Sequence, residues 1–341
     1  MHRLMQVVAA AAFGFVFSAP AALAGATVQA TKVRGEVVCG VANDLPGFSA
    51  PDGANGWSGL DVDVCRAVAA AVLGEASKVR FVPLNAQARL TALQTGEIDL
   101  LARNTTYTLT RDSSAGLNFT VINYYDGQGF LVPMSLNARH AKELSGASVC
   151  VQTGTTSELN LADFSRANDV ELRPVTLEKY EEMISAYLAG RCDALSADMS
   201  ALATIRSHAT SSPDDHLLLP ERISKEPLAP AVRQGDDQWF DIVKWSQLAM
   251  IEAEERGVSS MNVDLQAETA APEIRKLLGF TPGIGAPLGL DDRWAYRVIR
   301  QVGNYGESFE RNLGVGSKLN LQRGMNALWT QGGLMYAMPL R

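Results

Sequence analysis

An α/β fold in two lobes is what the sequence predicts, each lobe an open, mostly parallel sheet flanked by helices. Three observations carry this. Gly35-Glu-Val-Val-Cys39 recurs as Gly146-Ala-Ser-Val-Cys150, and a short apolar run after a glycine reads as the opening of a buried parallel strand. Leu93-Gln-Thr-Gly-Glu-Ile-Asp99 is echoed by Leu188-Ala-Gly-Arg-Cys-Asp193. Each echo reads as a helix ending at Gly96 or Gly190 with a strand just after. Two extended stretches, Asn123–Phe130 and Ser224–Arg233, join the halves, and Pro227 and Pro230 hold the second straight. Strand, helix, strand, helix, strand in each half implies a sheet covered on both faces. A double crossing permits a hinge and restricts twisting.

From the N-terminus, His2 and Arg3 give a positive start, Met5 to Phe17 is apolar, Pro20 breaks the run, and Ala22-Leu23-Ala24 is a small-x-small cleavage site. Residues 1–24 therefore read as a secretory signal peptide, with an uncleaved anchor as the alternative, and the mature chain begins near Gly25. Lobe one is expected to comprise 25–125 plus 231–341, and lobe two 126–230. Within lobe one, Val62, Cys65, Val68 and Val72 form one stripe of a helix over Asp61–Leu73. Further helices are expected over Asp237–Arg256 and from Pro272 onward, notably Asp291–Asn312, with Trp329–Leu334 packed on lobe one.

Four cysteines in an exported chain suggest two disulfides. Cys65 faces the sheet that carries Cys39, and Cys150 and Cys192 fall on two strands that this topology sets side by side. The expected bridges are Cys39–Cys65 and Cys150–Cys192; four buried free thiols are the alternative. A formal net charge of −7 over 341 residues, with no Lys/Arg block, argues against nucleic acid and anionic lipid as partners. His140, His208 and His216 show no metal-ligand spacing, Asp214-Asp215-His216 reads as a solvated turn, and neither a nucleophile elbow nor a phosphate loop is present. No metal and no cofactor is expected.

Eight segments then carry a resemblance: Pro46–Pro51, Gly59–Asp63, Ala102–Arg111, Tyr124–Gly129, Gln152–Thr156, Asp236–Asp241, Gln301–Gly306 and Gly332–Tyr336. Together they resemble the periplasmic amino-acid-binding proteins of ABC importers, solute-binding family 3, and most nearly its general L-amino-acid-binding branch, over roughly Lys32 to Arg341. The resemblance implies a type II periplasmic-binding-protein fold and a periplasmic location. It also implies an L-amino acid as ligand, inner-membrane ABC permease subunits as partners, and closure of two lobes about a hinge. A monomer is expected.

A free amino acid needs a cation with donors for its carboxylate and an anion for its ammonium. In the resemblance, a hydroxyl and an arginine spaced as in Thr106-x-Thr108-x-x-Arg111 hold the α-carboxylate; a guanidinium fork suits that group. A threonine-rich helix cap with a solvated Arg111 is the alternative. Thr155 and Thr156 match a second carboxylate contact at a helix N-terminus, with a capping box, Thr155-x-x-Glu158, compatible beside it. Asp198 matches the acid that pairs with the ammonium, or else caps the next helix. Gln152 matches a pocket position. Arg103 and Asn104 lie on the strand-end loop, where Arg103 either meets an acidic side chain or braces the loop. Many narrow-specificity relatives have an acid near Ala42 and an aromatic near Leu45. Their lack here, with Phe48 remaining, implies a roomy and permissive pocket. Two other functions fit the same fold. One is a cyclohexadienyl-dehydratase-like enzyme using Asp44, Glu226 or Asp126 as general acid. The other is a ligand receptor for a chemosensory partner.

Overall fold

A computed structural model of the chain describes residues 25–53, 56–266 and 271–340. The signal-peptide segment 1–24 lies outside them. Two five-stranded sheets form the two lobes. The first takes the order β4 (Val79–Pro83), β1 (Val37–Val41), β5 (Leu100–Leu101), β14 (Ala231–Arg233), β6 (Leu117–Phe119). The second takes the order β10 (Arg173–Leu177), β9 (Ser148–Gln152), β11 (Ala194–Asp198), β8 (Gln128–Pro133), β12 (His216–Leu218). In each, β1 or β9 lies between parallel neighbours. The remaining pairs are antiparallel, so each sheet is less parallel than the alternation suggests. The reason is topological: the crossings enter each sheet as reversed strands. β7 (Tyr124–Asp126) and β13 (Glu226–Leu228) pair antiparallel as a separate ribbon between the sheets. A further short pair, β2 (Ala50–Pro51) with β3 (Trp57–Ser58), precedes the second helix.

Both repeated runs fold as buried strands, β1 throughout and β9 from Val149 on. Helix α1 (Ala26–Arg34) leads into β1. Helix α2 (Leu60–Leu73) buries Val62, Cys65, Val68 and Val72, each valine worth about 1.5–3 kcal/mol of transfer out of water. Gly59 starts it at φ 135°, where a Cβ would lie 2.0 Å from the carbonyl oxygen of Phe48; only glycine fits there. The expected disulfides are both present, Cys39–Cys65 and Cys150–Cys192, with Cα separations of 6.2 and 5.6 Å.

The long helix of lobe one, Asp237–Glu255, runs nearly as expected, and Asp236 caps it by accepting from the Trp239 amide at 3.0 Å. Beyond it, the expected single helix Asp291–Asn312 is two, Trp294–Val302 and Tyr305–Asn312. Gly303, at φ 101°, breaks the first, and Asn304 with Glu307 builds a capping box that starts the second. Buried Asp63 on α2 accepts from Ser308 at 2.6 Å, Arg311 at 2.6 Å and Asn312 at 2.7 Å, pinning this extension to lobe one. Trp329–Leu334 departs from expectation. Trp329 is 52% exposed and Leu334 51%, while the flanking Leu328 and Met335 are buried. A left-handed turn at Gly332 folds the segment back, so the residues that flank it pack and the segment itself faces water. The turn Pro213–Asp215 is exposed, but His216 begins β12 and its Nδ1 meets the Tyr187 hydroxyl at 2.7 Å.

Candidate functional site

Strand ends of both sheets converge on one cleft. That is where open α/β sheets place ligands, beyond the carboxyl ends of parallel strands. From the first sheet, the loop after β5 brings Arg103, Asn104 and Thr106 to the cavity. Its backbone is unusual: Asn104 takes φ 30°. Asp61, in the first turn of α2, fixes that conformation by accepting from the Asn104 amide at 2.7 Å, while Asn123 Nδ2 donates to its other oxygen at 2.9 Å. Burial pushes the Asp61 carboxyl up to about 6, against the pull of those hydrogen bonds.

Three guanidinium groups stand on this side. Arg103 donates through Nε to the Leu84 carbonyl at 2.6 Å, so it braces the loop, and it also lines the cavity. Arg111 donates through Nη1 to the Thr106 carbonyl at 2.9 Å. Thr108 caps helix α4 (Leu109–Ser114), accepting from the Arg111 amide at 3.3 Å, and takes no place among the cavity-lining residues. Arg89, on helix α3 (Ala88–Thr95), is 3% exposed and lines the cavity. Its Nη1 reaches only the Arg103 carbonyl, at 3.4 Å, and its Nε has no partner among the described residues. Burial lowers its pKa well below the usual guanidinium range, and the charges of Arg103 and Arg111 lower it further.

From the second sheet come Gln152, Thr155, Thr156 and Asp198. Helix α5 (Thr156–Asn168) points its N-terminus at the cleft; Thr155 caps it, accepting from the Glu158 amide at 3.4 Å. The first amides of such a helix have no intrahelical acceptor and favour an anion. Gln152 is held by the Glu178 carbonyl at 3.1 Å. Asp198 ends β11 and precedes the next helix without capping it. Its Oδ2 accepts from Asn104 Nδ2 of the other lobe at 3.2 Å. Burial raises its pKa well above the carboxylate range, and the nearby carboxylates of Asp126 and Glu226 raise it further.

The structure thus brings Arg103, Asn104, Thr106, Gln152, Thr155, Thr156 and Asp198 to one cavity, with Arg111 behind Thr106 and Thr108 in a cap. Three features escaped the sequence reading. Arg89 is one; its signal was a cation on the same helical face as buried Ala92 and Leu93. Tyr180 is another, a cavity-lining phenol whose hydroxyl is buried without a partner among the described residues and whose pKa burial raises. The third is the position of Glu226, which takes hydrogen bonds from Thr106 Oγ1 at 2.5 Å and Thr156 Oγ1 at 2.8 Å. Chemically, the cleft sets cations and amide donors against a carboxylate from the opposite lobe.

Known proteins resemble this chain along most of its length. It is 53% identical to the general L-amino acid-binding periplasmic protein AapJ of Rhizobium johnstonii, over 94% of each chain. It is 50% identical to the glutamate/glutamine/aspartate/asparagine-binding protein BztA of Rhodobacter capsulatus, over 94% of this chain and 95% of that one. A solved ABC transporter periplasmic binding protein from Brucella ovis, with glutathione bound, superposes with a TM-score of 0.90 at 51% identity, covering 92% of this chain and 99% of that chain. Residues 37–256 match the family model, and the chain belongs to the bacterial extracellular solute-binding proteins, family 3.

Proposed function

We propose that this chain is the periplasmic solute-binding component of an ABC importer for L-amino acids, and that it closes around the zwitterion with broad specificity. The observation that carries this is the charge arrangement of the cleft. Arg89, Arg103 and Arg111 stand on the first lobe and Asp198 on the second. A zwitterion between them would neutralise charges that are costly to bury alone. The ligand carboxylate meets the guanidinium groups and the α5 amides, and its ammonium meets Asp198 with the threonine oxygens nearby. Each lobe alone supplies half of these contacts, so a bound ligand favours the closed arrangement by its differential affinity. In this reading lobe one is 25–125 plus 231–341, lobe two is 126–230, and β7 with β13 is the hinge.

Breadth follows from what lines the rest of the cavity. Ala42, Leu45 and Ala201 are small or apolar and make no side-chain demand. Arg89 adds a cation beyond the one a single carboxylate needs, which admits acidic ligands beside neutral ones. AapJ and BztA, by their names, bind several amino acids. The partner is an inner-membrane permease that receives the ligand and supplies the ATP chemistry. The protein binds without turnover.

Calorimetry against the L-amino acids tests the reading. Binding of several, acidic and neutral, is expected; tight binding of one alone rejects breadth, and binding of none rejects the function. Incubation with prephenate or arogenate should leave both unchanged. Deleting the gene should abolish uptake of the bound amino acids; a loss of chemotaxis with uptake intact would favour a sensory role.

A further inference from the structure

Glu226 opens β13, the return crossing, where its backbone pairs with Asp126 of the outgoing one. Its side chain is 1% exposed, and no Lys or Arg nitrogen among the described residues lies within ion-pair distance of it. Its direct contacts are hydrogen bonds, and Arg111 and Arg89 attract it from beyond ion-pair distance. One oxygen accepts from Thr106 of lobe one and Thr156 of lobe two. The other accepts from Asn160 Nδ2 at 2.7 Å, on α5, and from Ser224 Oγ at 2.6 Å. Thr106 Oγ1 and Thr156 Oγ1 stand 3.3 Å apart across the cleft. A hydroxyl has a single proton; with both protons directed to Glu226, the two threonines are joined through the carboxylate and turn their lone pairs to the cavity.

We propose that Glu226 is a positioning residue that latches the lobes from the hinge: one carboxylate oxygen binds a cavity-lining hydroxyl from each lobe and so sets the closed spacing of the ligand site. The latch acts on affinity through geometry, by raising the fraction of free protein in the binding-competent arrangement. It rests on the amino-acid-binding reading for its affinity arm, but not for its closure arm.

The test compares the full mature wild-type protein with E226A and E226Q, by small-angle scattering without added ligand and by calorimetry with L-glutamine. The amide side chain of E226Q keeps an acceptor oxygen for the two threonines, while its nitrogen faces Asn160 and Ser224, whose amide and hydroxyl turn to accept. E226A is expected to scatter with a larger radius of gyration and to bind about 30-fold more weakly. E226Q is expected to scatter as wild type and to bind within about fivefold. E226Q as weak as E226A overturns the latch, because charge and not geometry would then be responsible. E226A that scatters as wild type, or that binds within about threefold, also overturns it. Should E226A fail to fold, N160A removes a lobe-two donor to Glu226 from a residue outside the cavity lining; it is expected to open the free protein and weaken binding, and no change in either overturns the proposal. Were wild type to bind no amino acid, the functional reading would fall, and the scattering of the variants would still decide the latch.

Discussion

Arg89 is a buried cation whose Nε finds no partner among the described residues, and that makes it the most informative side chain in the cleft. A second ligand carboxylate beside it would relieve its burial. R89M is therefore expected to weaken L-glutamate about 10- to 100-fold, to leave L-glutamine within about fivefold, and to raise thermal stability by removing an unpaired buried charge. Calorimetry and a melting curve check both parts. Asp198 makes a second prediction. Its carboxyl titrates well above the usual range in the cleft, and an ammonium placed against it would lower that value. Between the bound and free values, binding releases a proton. Somewhere along a pH series the observed enthalpy should thus depend on the buffer's ionisation heat, and that dependence should vanish in D198N. Asp61 makes a third. Burial raises its pKa to about 6 from 3.8, so the folded state holds the proton more tightly than the unfolded one. The cost is fully present above pH 6 and is relieved as pH falls toward 4. The difference in stability between wild type and D61N should therefore shift in favour of wild type on acidification from pH 7 to 4, by at most about 3 kcal/mol, as read from urea melts.

At the scale of elements, the two disulfides staple a strand to its neighbouring helix in lobe one and, in lobe two, strand β9 to the residue two before β11. Replacing Cys39 and Cys65 together by serine should cost about 2–5 kcal/mol, and the same holds for Cys150 with Cys192. Differential scanning calorimetry should show each lowering the melting temperature by several degrees with ligand contacts untouched. Much of this level was legible in the sequence because it is local. Strand β1 and helix α2 declare themselves through a buried run and a stripe of period near 3.6, and Cys39 and Cys65 follow from those two elements. What was not legible is of two kinds, local breaks inside an apolar pattern and placements set by distant partners. The break at Gly303 inside an apolar helical pattern is set by the capping pair Asn304 and Glu307. The exposure of Trp329 follows from a turn at Gly332 that periodicity does not register. The reversed strands β8 and β14 come from the double crossing, a property of the whole topology. Arg89 was hidden for the same reason, since nothing adjacent in sequence marks a helical cation as facing a cleft made by two lobes; Glu226 was named only as a candidate general acid, and its place between Thr106 and Thr156 depends on both lobes.

The whole molecule is two sheets joined by a two-stranded ribbon, with a C-terminal extension fastened to the first lobe through Asp63. Its proposed work is to turn the two ends of one zwitterion into a reason for two lobes to meet. Asn104 of one lobe already reaches Asp198 of the other, so the ammonium site lies at the seam. The most direct measurement is a calorimetric cycle of wild type and D198N, each titrated with L-glutamine and with its analogue lacking the α-amino group. If Asp198 pairs with the ammonium, D198N should weaken L-glutamine about 100-fold or more and leave the already weak analogue within about threefold. An equal loss for both ligands, or no loss for L-glutamine, would contradict the account.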